Sequence, residues 1–149
     1  MLRVTSRWNL NNLLTLSKIT PAQFAEAEKL WNLAGVGNPA RGDDLAAVEK
    51  TLRHGGRLIL LYADEQPVGT VWLTHDHRRL YIHHMAVHPE HQGRGLGKLL
   101  IQAALRYAAR LKLQAKLEVH AGNAPANRLY ASFGFDALDG YRLMIKRKY

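Results

Sequence analysis

The chain contains no cysteine. That removes disulfides, thiolate metal sites and any acyl-cysteine intermediate. No apolar run approaches the ~20 residues of a membrane span, so no membrane association is expected. The sequence does not open on a basic-then-apolar signal pattern, which makes a cytoplasmic protein the expectation. The eight histidines are scattered and no His-Glu-x-x-His pair occurs, so no metal is indicated. Acidic side chains are the scarcer sign, with 12 Asp+Glu against 21 Lys+Arg and a formal net charge of +9. Such a field attracts polyanions. It suits a multiply charged small molecule and nucleic acid equally, and a basic solvated surface without a role accounts for it as well.

What is present fits one globular domain over residues 1–149 with a sizeable core. Hydrophobic residues make up 47% and charged residues 22%, ordinary values for a folded domain. No linker, repeat or low-complexity tract divides the chain. Residues 1–12 show no clear period and read as a lead-in. Residues 13–19 read as a strand. Thr20-Pro21-Ala22-Gln23 then signals a helix start, with Thr as N-cap, Pro at the first position and Gln three after the cap. Phe24, Ala27, Leu30, Trp31 and Ala34 make its apolar stripe. Asp43 can cap a second helix that points Leu45, Val48 and Leu52 inward and ends at Gly55-Gly56. Strands follow over 57–62, 68–74 and 80–87, joined by polar turns, which predicts an antiparallel meander. Leu96, Leu99, Leu100, Ala103, Tyr107 and Leu111 lie at helical spacing after it. A strand at Leu117-Glu118-Val119-His120, a short helix capped by Asn123 and a closing strand over 141–145 complete the order β-α-α-β-β-β-α-β-α-β.

The chain is organised around residues 80–100. An apolar strand runs into His88-Pro89-Glu90, then into Gln92-Gly93-Arg94-Gly95-Leu96-Gly97-Lys98, where a helix starts. Gly93, Gly95 and Gly97 permit positive φ and close approach of a ligand. Helix-start amides and the helix dipole make an anion site. The dinucleotide fingerprint fails, because Gly93 and Gly95 would need a glycine at Lys98. The P-loop fails too, because Gly97-Lys98 is followed by Leu99 and Gln92 occupies the first glycine position.

The remaining pattern, Q-x-x-G-x-G preceded by Met-Ala-Val-His-Pro-Glu, resembles the acetyl-CoA loop of the GNAT superfamily of N-acetyltransferases. Residues 117–135, Leu-Glu-Val-His-Ala-Gly-Asn-Ala-Pro-Ala-Asn-Arg-Leu-Tyr-Ala-Ser-Phe-Gly-Phe, resemble its second signature, N-x-x-A-x-x-L-Y-x-x-x-G-F. The resemblance covers roughly residues 80–136. It implies an α/β fold with a central mixed, mainly antiparallel sheet of about six to seven strands and about four helices. It implies acetyl-CoA as co-substrate, held by Gln92, Gly93, Arg94, Gly95, Leu96, Gly97 and Lys98 at the pyrophosphate. The backbone of Met85, Ala86 and Val87 would pair with the pantetheine arm, and Asn123 and Asn127 would make further contacts. Asn123 could equally be a helix cap alone.

In this reading acetyl moves to a primary amine by direct attack in a ternary complex. An alkyl amine is mostly protonated at pH 7, so a base must take a proton, directly or through water. The resemblance places Tyr130 as donor to the departing sulfur. Two bases stay open: Glu118, on the strand beyond the helix, and His83, on the central strand. Strand alternation puts Tyr81, His83 and Met85 on one face and turns His84 away. The acceptor could be a small molecule, a peptide N-terminus or a lysine, and a homodimer is compatible with it. The rival reading is a non-catalytic acyl-CoA- or nucleic-acid-binding module. Nucleic acid is not expected as a partner, since no recognition helix or aromatic platform is evident.

Overall fold

The computed structural model describes Trp8 and residues 10–149, so most of the lead-in at 1–12 lies outside the described residues. The chain divides into two compact units at Leu117/Glu118.

The first unit carries β1 (Leu13–Leu16), α1 (Pro21–Ala34), α2 (Leu45–Arg53), β2 (Arg57–Ala63), β3 (Gln66–His75), β4 (Arg79–Val87), α3 (Leu96–Leu111) and β5 (Gln114–Leu117). The strands form one sheet in the order β1-β2-β3-β4-β5. Its first four strands pair antiparallel, and β5 joins β4 in parallel after the α3 crossover.

The first helix starts where local chemistry dictates. Thr20 Oγ1 accepts the Gln23 amide at 3.2 Å, and Gln23 Oε1 accepts the Thr20 amide at 3.0 Å. This capping box satisfies two amides that the helix start would leave unpaired. Ala27, Leu30 and Trp31 are buried as the apolar stripe requires. Trp31 packs with Val48 and Leu52 of α2 on the sheet face that carries Leu58, Leu60, Trp72 and Ala86. The opposite face, bearing Leu61 and Gly69, takes α3. A Cβ on Gly69 would stand 3.1 Å from Leu100 Cδ1 and 3.3 Å from Leu61 Cβ, so glycine lets the helix lie close. The buried members of α3 are Leu96, Leu100, Ile101, Ala104 and Ala108, a stripe turned slightly from the one expected, which leaves Leu99 and Ala103 half-buried.

Asp44, not Asp43, caps α2, its Oδ1 accepting the Ala47 amide at 2.8 Å. The N-cap stands immediately before the first inward apolar residue, Leu45, so only the second of the two aspartates has the right spacing. Asp43 is thereby freed for another contact.

The second unit, Glu118–Tyr149, holds α4 (Ala124–Ser132). Among the described residues the sheet has five strands rather than six to seven. The strand expected at 117–120 ends at Leu117, and residues 141–145 form no strand. Tyr141 and Met144 are 82% and 87% exposed. Alternating apolar residues become a strand only when a neighbouring edge pairs their amides and covers one face. Among the described residues no strand pairs with 141–145.

Candidate active site

Two glycines shape the turn between β4 and α3. Gly93 and Gly95 have φ of 76° and 78°, and a Cβ on either would meet nothing within 4 Å. Gly97, expected to share that conformation, is instead the second residue of α3. Its φ is set by the helical hydrogen bonds, not by the loop. Gly95 is the N-cap and, lacking a side chain, offers no capping bond, and the first turn holds no acidic residue. The leading amides of a 16-residue helix are therefore unclaimed by any cap and carry the positive end of its dipole. Arg94 and Lys98 are exposed beside them, while the Leu96 side chain is buried. Leu96 can thus contribute only its backbone. Gln92 Nε2 donates to the Val87 carbonyl at 3.2 Å, tying the loop to the strand end. The cradle is open, basic and rich in N–H donors, a donor set that fits a pyrophosphate.

The pairing of β4 with β5 stops short of the end of β4. Its pairing with β5 runs from Arg79↔Gln114 to Ile82↔Leu117 and stops. On the other side the pairing with β3 continues to Val87↔Gly69. From His83 to Val87, the β5-facing edge of β4 has no partner in β5. That stretch contains Met85, Ala86 and Val87, the residues expected along the pantetheine arm, with Ala86 buried and its neighbours half-buried.

The same stretch carries a bulge. The register passes from Trp72↔His83 to Thr70↔Ala86, so His84 and Met85 together oppose Val71. His84 has φ of 50°, a left-handed conformation uncommon for a side-chain-bearing residue. The bulge overturns the expected alternation. Ala86 lies on the face of Tyr81 and His83, in place of Met85. His84 is not turned away: its ring lies 5.3 Å from Trp72 and 4.7 Å from Trp31, and the His83 ring lies 5.7 Å from the same Trp72.

The two histidines differ in their partners. His83 Nε2 shares a hydrogen bond of 2.8 Å with Thr74 Oγ1, and its ring stacks with Tyr81 at 6.2 Å. Burial, with the neighbouring His84 adding to it, pulls the His83 ring down to about 4, and the charge of Asp43 offsets this only in part. His83 is a neutral ring at pH 7. His84 Nε2 lies 3.0 Å from Asp43 Oδ2. The contact is at ion-pair distance but off hydrogen-bond alignment, since this buried nitrogen makes no hydrogen bond. Asp43 is in turn held by the Asn38 amide, which donates to Oδ2 at 2.7 Å. Neither His84 nor Asp43 stood out as a site residue in the sequence. The doubled Asp43-Asp44 was the available signal, because one helix start needs only one cap.

In the second unit, Glu118 is exposed just past the end of β5. Its carboxylate is solvated, not a lone charge inside a sheet. Asn123 caps α4, its Oδ1 accepting the Ala126 amide at 3.2 Å. Asn127 Nδ2 donates to the carbonyls of Asn123 at 2.8 Å and His120 at 3.0 Å, so it braces the turn before the helix. Tyr130 stands edge-on to Phe135 at 5.9 Å, and burial pushes its hydroxyl up from the ordinary phenol value. Among the described residues, no group of three His, Asp or Glu side chains converges as metal ligands would. No helix among them is long and apolar enough to cross a membrane.

Solved structures share this fold. An acetyltransferase from Streptococcus agalactiae superposes with a TM-score of 0.76 at 17% identity, over 94% of this chain and 93% of its own. The aminoglycoside N-acetyltransferase AAC(6')-Iy, solved with a CoA-linked bisubstrate analogue, gives 0.71 at 18% identity, over 92% and 98%. A ribosomal-protein-alanine N-acetyltransferase from Brucella melitensis gives 0.65 at 22%, over 90% and 98%. At these identities the likeness is one of fold. No curated protein matches the sequence. The sequence model of the acetyltransferase (GNAT) family matches residues 24–135, well over half of the chain. With the glycine cradle, the β4 stretch left unpaired by β5 and this match in agreement, the chain belongs to the GNAT family of acetyltransferases.

Proposed function

We propose that this protein transfers acetyl from acetyl-CoA to a primary amine by direct attack in a ternary complex. The observation that carries the reading is the juxtaposition of an uncapped helix start with a β4 stretch that β5 leaves unpaired from His83 to Val87. The first feature suits the pyrophosphate of CoA and the second suits an amide-bearing arm that adds to a sheet edge. Gly93, Gly95, Arg94 and Lys98 hold the phosphates; Met85, Ala86 and Val87 hold the arm. Asn123 and Asn127 are spent on local caps, and any contact they make to CoA is additional. In this reading strand amides at the bulge polarise the thioester carbonyl.

The amine gives up a proton, its lone pair forms the C–N bond, and the C–S bond breaks with its electrons on sulfur. Tyr130 is the donor that stabilises the departing thiolate, and its raised pKa keeps it protonated through the neutral range. For the base, Glu118 is the exposed carboxylate, available directly or through water. His83 is neutral and so able to accept a proton, but a ring pulled to about 4 is a weak base. Acceptor amines belong to two named relatives, one acting on aminoglycosides and one on ribosomal-protein alanine. The shared chemistry is a primary amine.

Thiol release from acetyl-CoA, followed over a panel of aminoglycosides, polyamines and peptides with a free N-terminal alanine, tests this. Release stimulated by at least one amine is expected. Calorimetric binding of acetyl-CoA with no release to any amine would leave a binding module in its place.

A further inference from the structure

We propose that His84, oriented by Asp43, is the group that takes the proton from the acceptor amine. The inference rests on the acetyl-transfer reading above.

Three observations lead to it. First, position: His84 occupies the bulge within the stretch of β4 that β5 leaves unpaired, two residues before Ala86. Backbone strain of this kind, in a left-handed residue that carries a side chain, concentrates where geometry serves function. Second, charge. A base must be stabilised in its protonated form, and of the two β4 histidines only His84 has a carboxylate beside it, at 3.0 Å. His83 has a hydroxyl and aromatic rings instead. Third, access and cost. The His84 and Asp43 side chains are 14% and 18% exposed, so the pair reaches the surface while Nε2 is buried. Trp31 Nε1 and His84 Nε2 are both buried without hydrogen bonds in one aromatic cluster, an arrangement that packing alone disfavours. Catalytic contacts of this kind tighten when substrate binds.

The step balances as follows. The step requires His84 Nε2–H to turn onto Asp43 Oδ2, 3.0 Å away, which leaves the Nδ1 lone pair as acceptor. Nδ1 takes one proton from the amine, and the imidazolium so formed is stabilised by the Asp43 carboxylate. The amine lone pair attacks the acetyl carbon, and the C–S electrons leave on sulfur. The groups facing His84 are Asp43 from the α1–α2 loop, His83 from its own strand, and the rings of Trp31 and Trp72. Asp43 alone among them carries a countercharge, and it acts as a positioning residue.

The test combines two measurements on the full chain. In the wild-type protein, ¹⁵N shifts of the His84 ring are expected to show the Nε2–H tautomer; the Nδ1–H tautomer would overturn the proposal with no kinetics needed. In turnover on an accepted amine, His84→Ala is expected to lower kcat about 10²-fold, within the range for losing a general base, with the KM for acetyl-CoA unmoved. Free imidazole should restore part of that rate, as it would not for a merely structural role. Asp43→Asn should cost about tenfold and gain nothing from imidazole. Wild-type turnover in His84→Ala, with a large loss in Glu118→Gln, would return the role to Glu118. Calorimetry with acetyl-CoA separates the levels: absence of binding by the wild-type protein removes the acetyl-transfer reading itself, whereas binding and turnover that survive His84→Ala remove only this inference.

Discussion

Thr74 Oγ1 and His83 Nε2 share a hydrogen bond of 2.8 Å across the β3–β4 pair, which fixes the His83 ring in a half-buried setting. This has a consequence for stability. The folded ring titrates at about 4 and an unfolded histidine at 6.5, so below pH 6.5 the unfolded chain binds the proton more readily. Stability is therefore complete above about pH 6.5 and falls as pH drops toward 4. From pH 7 to pH 5 the loss from this group is about 2 kcal/mol. Urea unfolding of wild type and His83→Gln at both pH values checks it. The variant should lose less stability on acidification by about that amount, and equal losses would refute the assignment.

Gly95→Val should abolish acetyl-CoA binding while the domain stays folded. The Cβ would enter open space in the cradle, where nothing stands within 4 Å, and the residue would have to hold φ near 78°. A left-handed conformation costs a non-glycine residue roughly 1–2 kcal/mol, more for a β-branched one. Circular dichroism and calorimetry separate the effects. Normal affinity in the folded variant would reduce the loop to a turn.

Tyr130→Phe should lower kcat by at least about tenfold and leave acetyl-CoA affinity within about twofold. Because burial raises the Tyr130 pKa from 10.0, no alkaline fall in rate should arise from this group below pH 10. A pH–rate profile on one accepted amine at saturating acetyl-CoA would show it. A fall near pH 9 that disappears in the phenylalanine variant would contradict both statements.

Gly56→Ala should destabilise the first unit by about 1–3 kcal/mol, the range for overpacking. An added Cβ would stand 2.7 Å from the backbone oxygens of both Leu73 and Thr51, and neither can swing aside. Chemical denaturation gives the number; a change under about 0.5 kcal/mol would mean that the α2–β2 turn relaxes freely.

Much of this was legible in the sequence because it is local. Thr20, Pro21 and Gln23 specify a helix start through bonds that span three residues. Gly93 and Gly95 mark a turn because their torsion angles, and not any distant partner, demand glycine. The order of elements up to β5 follows from apolar periodicity, and the family follows from the glycine loop and the pattern over 123–135. Other features were settled by pairing between distant segments. His84 faces Trp31 and Trp72 because β4 gains a residue against β3, and a bulge is invisible in one strand's alternation. Asp43 meets His84 because Asp44 takes the cap and the α1–α2 loop folds back on β4. The apolar side chains of 141–145 predict a strand, yet a ladder needs a second edge, and among the described residues this segment pairs with none. Sequence determines what each segment can do alone; which edge or side chain it meets depends on the register of the assembled sheet, a long-range property no single segment encodes.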